Sequence, residues 1–553
     1  MLKIKLVSSQ IKAFMDDKID SFEPLKRISA LGGEKLSLQL LYVDEGEPYL
    51  ANRPLMDLKL EGAFASVVTV RDVRYVPVDR PIHPERFDDQ YLRIAPGVYP
   101  DLLTPLRYGG KVVVSRDKLR SLWLEIEIPK EYSGNNTLTV TLTEPESGAS
   151  FAASLDISVI GAALPPQKLL FTQWFYPDCL ASYYNIPVWS EEHWRIVENF
   201  AVNAVKRGRN VLYTPLLTPA LNVNPGFYRN PTQLVDVIVT DGEYSFGFEK
   251  LDRWVDMCDR IGVQYLEISH LYQQHQAKHA AHVYCVENGE AKRLFGWETL
   301  ALDERYTEFL RKLISAFLDH MRARGDDKRC FFHISDEPNL ENLEHYRKVR
   351  GVVADLLVGY RTIDALSDFE FYEQGALEHP VPVTSKADPF LEREVADLWV
   401  YYACNELIDY SNCYVAMPSW RTRSLGIQLY KYPNVTGFLH WGYNYYNNRA
   451  SGDAINPYID LGGEDWVPAG DTFMVYPDSD GTPLESIRLM ALEEALQDLR
   501  ALELCESLYS REAVITAVES VLGEPISFRR CARSEEEMLQ IRSVINEMIE
   551  KAL

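Results

Sequence analysis

Cys330-Phe331-Phe332-His333-Ile334-Ser335-Asp336-Glu337-Pro338 runs from an apolar stretch straight into two adjacent carboxylates and a proline. Residues 330–332 suit a buried strand. Pro338 cannot continue a β-ladder, and a residue preceding proline favours extended backbone, so Asp336 and Glu337 are expected to project from a strand end with Glu337 extended. Side-by-side carboxylates repel. With Asp336 ionised, Glu337 is disfavoured as an anion, which is how a site keeps one carboxyl protonated near neutral pH as a proton donor. An isolated Asp-Glu-Pro is equally at home in a solvated turn, so its weight comes from the surrounding pattern.

Outward from this stretch, short apolar strands alternate with helical segments. Eight strands are expected, at 168–175, 210–217, 264–271, 330–335, 359–365, 381–385, 397–403 and 437–442. Ser190 is placed to cap a helix carrying Trp194, Val197, Ala201 and Ala204 that ends at Gly208. Leu251, Trp254, Val255 and Cys258 repeat the pattern before Gly262, and Asp303 starts another helix that ends at Gly325. Continuous apolar strands between helices imply parallel pairing, and eight of them favour a closed (β/α)8 TIM-type barrel over residues 168–482. The stretch 218–248 is too long for an ordinary barrel loop and reads as a lid or pocket wall.

The chain before the barrel has a different texture. Leu36/Leu38/Leu40, Leu122/Leu124/Ile126/Ile128, Leu138/Val140/Leu142 and Leu155/Ile157/Val159 alternate with period two, with turn clusters between them. An all-β sandwich over residues 1–163 follows, joined to the barrel by Leu164-Pro165-Pro166-Gln167. From residue 483 to 553 the pattern is helical, with Ile487, Leu492, Leu496 and Leu499 on one face, expected to pack on the barrel.

Composition narrows the class of function. The 553 residues carry 57 Lys+Arg against 81 Asp+Glu, a net charge of −24 that argues against nucleic acid and anionic membranes as partners. Neither an apolar leader core nor a long apolar span is present, so a cytoplasmic protein is expected, with self-association left open. The eight cysteines form no CxxC and read as free thiols. His270, His275, His279 and His282 lie among glutamines and suit a polar loop better than a metal site, and no nucleotide or GxSxG fingerprint has a fitting context. No metal and no cofactor are expected.

In such barrels chemistry sits at the C-terminal strand ends. That rim would collect Asp178, His270, Asp336 and Glu337, then Tyr401 and Tyr402 with Glu406 beyond, and Trp441, Tyr443 and Asn444. Sugars present apolar C–H faces and hydroxyl edges, which Trp441, Tyr443, Tyr401 and Tyr402 suit, although aromatics at strand ends also serve as lid packing. His270 and Asp178 are placed to bind hydroxyls, with a rim hydrogen bond and a helix cap as their structural alternatives. Glycoside cleavage uses carboxyls on both sides of the bond, and neighbours approach from one side only. The second group is then Glu406 from another strand, acting as nucleophile on a plain hexoside, or the substrate's own 2-acetamido oxygen, with Asp336 orienting the amide. A barrel that binds sugar without turnover is the third reading.

Phe332-His333-Ile334-Ser335-Asp336-Glu337-Pro338, Glu267-Ile268-Ser269-His270-Leu271, Ala416-Met417-Pro418-Ser419, Gly426-Ile427-Gln428-Leu429-Tyr430 and Gly437-Phe438-Leu439-His440-Trp441-Gly442-Tyr443-Asn444, in this order, resemble glycoside hydrolase family 123 and its wider group of barrel proteins of unassigned function. The resemblance spans about 170–505. It implies a β-sandwich followed by a (β/α)8 barrel and an exo-acting, retaining β-N-acetylgalactosaminidase working by substrate-assisted catalysis on a carbohydrate. It further implies Glu337 as acid/base, Asp336 as the acetamide-orienting residue, and a tyrosine on the acetamido carbonyl, for which Tyr401 and Tyr402 both qualify.

Overall fold

The computed structural model describes residues 2–46, 55–274, 276–449 and 451–553. The chain divides into two compact units, one of Met1–Gln167, Leu407–Tyr432 and Leu484–Leu553, the other of Lys168–Glu406 and Pro433–Pro483.

In the first unit the period-two segments form two five-stranded sheets. One runs Leu2–Ser8, Lys35–Asp44, Arg120–Glu127, Val68–Val78, Gly97–Pro105, and the other Arg27–Gly32, Ser150–Ala163, Gly134–Thr143, Leu55–Glu61, Val112–Val113. Register follows the apolar alternation: Leu36, Leu38 and Leu40 stand opposite Ile126, Leu124 and Leu122. Leu138 and Val140 stand opposite Leu155 and Ala153 in the other sheet. Leucine and isoleucine side chains from both sheets share one buried core, the arrangement of a β-sandwich.

The helices Ile487–Leu508, Arg511–Leu522 and Glu535–Ala552 belong to this unit. On sequence alone they are expected on the barrel; in the structure they group with the sandwich and with 407–432, the excursion between the last two barrel strands. Buried ion pairs hold them there. Arg488 meets Asp101 at 2.9 Å and Arg542 meets Glu34 at 2.8 Å, both on the sandwich, and Arg423 meets Asp498 at 2.6 Å. A buried charge deprived of its partner is costly, so these pairs define which surface the helices cover.

The second unit is the barrel. Its strands, in chain order, are β1 Leu170–Gln173, β2 Val211–Thr214, β3 Tyr265–Ile268, β4 Cys330–Phe332, β5 Arg361–Ala365, β6 His379–Val381, β7 Leu398–Tyr401 and β8 Val435–His440. They pair in parallel in the order β6-β5-β4-β3-β2-β1-β8-β7. The ring is nearly closed by a parallel bridge between Val383 and Tyr401, with the Tyr401 N–H donating to Pro382 O at 3.1 Å. Six strands fall inside the expected ranges, while β6 and β8 begin two residues earlier. Gly437 on β8 has a packing reason: a Cβ there would lie 2.3 Å from the Trp399 ring on β7.

The helix signals operate as read. Ser190 Oγ accepts the His193 N–H at 3.2 Å ahead of Glu191–Lys206. Asp303 caps Glu304–Arg324, and Gly262 and Gly325 close their helices at φ +90° and +82°. The long segment after β2 contributes a hairpin, Asp236–Thr240 and Glu243–Gly247. It joins Val283–Glu287 and Glu290–Phe295 from the segment after β3 in a separate four-stranded sheet.

Candidate active site

Asp336 and Glu337 follow β4 by four and five residues. Here the chain departs from its local preference: Glu337 adopts φ +46°, in the left-handed region, rather than the extended conformation that Pro338 favours. Bonds on either side of the dipeptide account for this. Ahead of it, Asp364 Oδ1 on β5 accepts the N–H groups of Ile334 at 2.9 Å and Ser335 at 3.3 Å. Beyond it, Asn339 opens a capped turn, accepting the Glu341 N–H at 3.1 Å and donating its own N–H to Asn342 Oδ1 at 2.9 Å. The chain must bend between two pinned points, and Glu337 takes the bend.

The two neighbours sit in unlike environments. Asp336 is buried and Glu337 is exposed. Burial first, and the charge of Glu337 second, push the Asp336 carboxyl up to about 8. Sequence alone puts the difficulty of ionisation on Glu337; in the structure it falls on Asp336, because burial outweighs the mutual repulsion and only Asp336 is buried. Two groups offset part of this: Gln274 Nε2, which donates to Asp336 Oδ2 at 2.9 Å, and the charge of His333. The amide cannot turn around, since its Oε1 accepts the Asn222 N–H at 3.0 Å.

Tyr401, the last residue of β7, donates its hydroxyl to Glu337 Oε1 at 2.6 Å. Burial and the carboxylate hold the phenol well above its ordinary pKa, so it remains a donor. Tyr402 packs instead against Phe438 and His440, at ring-centroid distances of 4.9 and 5.3 Å. Of the two tyrosines, it is therefore Tyr401 that reaches the carboxylates. Glu406 is buried, accepts Ser385 Oγ–H at 2.7 Å and the Ala403 N–H at 3.1 Å, and is pushed up to about 7, chiefly by burial.

Other residues expected at the rim serve the framework. Asp178 is fully buried in a bidentate pair with Arg229, at 2.6 and 2.9 Å. Tyr443 donates to Phe200 O at 3.0 Å and Asn203 Oδ1 at 2.8 Å. Asn444 bridges the backbone of Tyr176, accepting its N–H at 2.8 Å and donating to its carbonyl at 3.1 Å. The polar atoms of these three are thus engaged within the protein itself. Trp441 packs between the tilted rings of Tyr445 and Trp466, each 5.4 Å away, and donates Nε1–H to Asp471 at 2.9 Å, leaving 9% of its surface exposed.

His270 shares a hydrogen bond with Tyr213 at 3.0 Å through Nδ1; its Nε2 is buried without a hydrogen-bond partner among the described residues. His282 is buried beside Tyr228 and Trp297. His275 lies outside the described residues. Two contributors escape sequence reading: Gln274, which looks like loop polarity, and Asp364, which looks like an ordinary strand residue.

The second unit is thus a nearly closed parallel barrel with a carboxyl pair just beyond its fourth strand, one member buried and the other open to solvent. Residues 174–505, more than half of the chain, match the model of the glycoside hydrolase 123 catalytic domain. The chain belongs to glycoside hydrolase family 123. Among solved structures, a family 123 glycoside hydrolase from Clostridium perfringens, studied for its hydrolysis of glycolipid glycans, covers 100% of this chain and 97% of its own at 13% identity, with a TM-score of 0.74. That match reports a shared fold. A β-glucuronidase from Parabacteroides merdae covers 88% of this chain and 50% of its own at 11% identity and a TM-score of 0.31. No curated protein matches the sequence. Among the described residues no helix is long and apolar enough to cross a membrane.

Proposed function

We propose that the protein is an exo-acting, retaining glycoside hydrolase that releases terminal β-linked N-acetylhexosamine, with N-acetylgalactosamine as the preferred sugar, by substrate-assisted catalysis. The observation that carries this reading is the pairing of a buried Asp336 with an exposed Glu337 on one turn. Adjacent residues serve one face of a glycosidic bond, so the group that attacks the anomeric carbon comes from elsewhere. The 2-acetamido oxygen supplies it: it bonds to the anomeric carbon as the glycosidic C–O bond breaks, and Glu337 gives its proton to the departing oxygen. Asp336 accepts the acetamido N–H and balances the positive charge of the oxazolinium. Glu337, now a carboxylate, takes a proton from water as that water attacks the same carbon and the oxazolinium C–O bond breaks to restore the acetamido group, and two inversions return the β-anomer.

A proton on Asp336 fits this scheme once substrate is considered. The pair keeps one proton up to about pH 8. An acetamido N–H pointing at Asp336 favours its anion and shifts that proton to Glu337, where it is needed. Tyr401, held on Glu337, is near enough to the carboxyls to serve as the tyrosine of the acetamido carbonyl, and Trp441 and His270 Nε2 are the remaining candidates for sugar contact.

The Glu406 alternative, a nucleophile acting on plain hexosides, has one observation in its favour: the charge of Glu337 contributes to its raised pKa, so the two share a neighbourhood. Against it, both Glu406 oxygens already accept hydrogen bonds, and burial disfavours the anion that attack requires. NMR of the first-formed sugar, with a thiazoline mimic of the oxazolinium as inhibitor, separates the readings. A β-anomer and strong inhibition are expected, whereas an α-anomer, or turnover indifferent to the thiazoline, would refute the substrate-assisted scheme.

A further inference from the structure

Behind the carboxyl pair lies a buried chain of charges that the scheme above does not use. His333 stands between two acids, with Nε2 2.6 Å from Glu267 Oε1 and Nδ1 3.4 Å from Asp364 Oδ1, all three side chains fully buried. Glu267 is saturated by other donors, Trp174 Nε1–H at 2.7 Å on Oε1 and the Thr172 hydroxyl on Oε2. Asp364, besides its two backbone N–H groups, accepts the Tyr346 hydroxyl on Oδ2 at 2.6 Å. Burial alone would strip the proton from His333, but the flanking carboxylates of Asp364 and Glu267 prevail and push it up to about 9. The neutral ring of His270 stacks on it, with centroids 4.2 Å apart and planes at 18°. Burial and the neighbouring charge hold His270 well below its ordinary pKa.

This chain meets the strained turn directly. A non-glycine residue at φ +46° is strained and persists only where its surroundings over-determine it. Asp364 supplies the pin ahead of the bend and is itself oriented by Tyr346, with His333 beside it. Asp364 acts on the turn through the backbone and, with His333, on Asp336 through space. The groups that face Asp336 are Glu337 beside it, the Gln274 amide, His333 and Asp364 behind it, and the phenols of Tyr213 and Tyr401. Those that face His333 are Glu267, Asp364, Asp336, His270 and Trp174.

We propose that Glu267, His333 and Asp364 are positioning residues that hold the strand-four turn in its left-handed bend and set a fixed positive charge behind the Asp336–Glu337 pair. The part of this that concerns turnover rests on the acid/base reading above; the charge and the geometry do not. His333 attracts the Asp336 anion and Asp364 repels it, so their neutral replacements act oppositely.

The test uses the full-length protein. With 4-nitrophenyl N-acetyl-β-galactosaminide, the basic limb of the kcat/KM profile moves to higher pH in His333→Gln and to lower pH in Asp364→Asn, each by about half a unit or more. Both variants lose roughly 10-fold or more in kcat as the turn loosens. General damage to packing would lower the rate without opposite shifts, and limbs that stay put or move together overturn the proposal. A second readout needs no turnover: 15N NMR of the wild-type imidazoles, with the His333 resonance assigned from the two variants. Both ring nitrogens of His333 stay protonated until about pH 9. A ring that titrates near its ordinary pKa of about 6.5 overturns the proposal. A wild-type protein that cleaves no N-acetylhexosaminide would defeat the functional reading and leave the network to be judged by the NMR alone.

Discussion

The end of β4 and the ends of β1 and β8 carry similar polar residues and use them in opposite ways. At β1 and β8, Asp178, Tyr443 and Asn444 are buried with their polar atoms engaged by Arg229, Phe200 and Asn203, and Tyr176. At β4, Asp336 holds one oxygen on Gln274, Glu337 faces solvent with Tyr401 on Oε1, and the backbone is bent into a conformation that local preference opposes. On the proposed function, the rim carboxylate met by an arginine is the structural one and the carboxylate met by an amide is the reactive one. Asp178 lies fully inside a two-bond ion pair, whereas Asp336 is buried with an amide as its hydrogen-bond partner and is driven toward its protonated form. Position at a strand end selects candidates, and pairing decides among them.

Substitutions should divide along the same line. Glu337→Gln removes the proton donor and should lower kcat/KM by ~10²–10⁴-fold on substrates with poor leaving groups, or about 3–5 kcal/mol of barrier, and by much less on activated aryl glycosides. Asp336→Asn should impair both substrate types, since its task does not depend on the leaving group. Asp178→Ala should do the reverse, leaving Arg229 buried and unpaired at a cost of about 3–5 kcal/mol in denaturant-induced unfolding, with kcat of the folded enzyme intact. A large loss of kcat at unchanged stability would move Asp178 to the reactive side. Tyr401→Phe removes a hydrogen bond to a charged group, for which about 1.5–3 kcal/mol is typical, so a loss of roughly 10–100-fold in kcat/KM is expected.

The smallest effect concerns pH. Catalysis needs one proton on the pair, and Asp336 holds it until about pH 8, so activity should fall as pH rises through that value. A basic limb nearer pH 5 would mean that burial does not control this proton.

The barrel strands and the carboxyl motif were legible because both are local. Continuous apolar runs between capped helices mark buried parallel strands, and an apolar strand stopped by Asp336-Glu337-Pro338 marks its own end. What stayed hidden depends on distant partners. Gln274 reaches Asp336 across 62 residues and Arg229 reaches Asp178 across 51, and no spacing rule joins either pair. Asp364 sits in a largely buried strand with nothing to signal that it pins another strand's backbone. Tyr401 closes β7 and reaches Glu337, while Tyr402 just beyond it packs on Phe438 and His440, and two adjacent tyrosines carry no phase from which to choose. The C-terminal helices have an apolar face that must be covered; which surface covers it is written in Arg488, Arg542 and their acids, far apart in sequence. The left-handed bend at Glu337 could not be read ahead, because proline argues for the opposite and only tertiary bonds reverse it.

The most direct test of the central claim, that two neighbouring carboxyls suffice because the substrate's own amide completes the displacement, is the ratio of kcat/KM for 4-nitrophenyl N-acetyl-β-galactosaminide to that for 4-nitrophenyl β-galactoside. The two sugars differ only at the 2-position. Efficient cleavage of the first with little or none of the second is the predicted result, and comparable cleavage of both would contradict it.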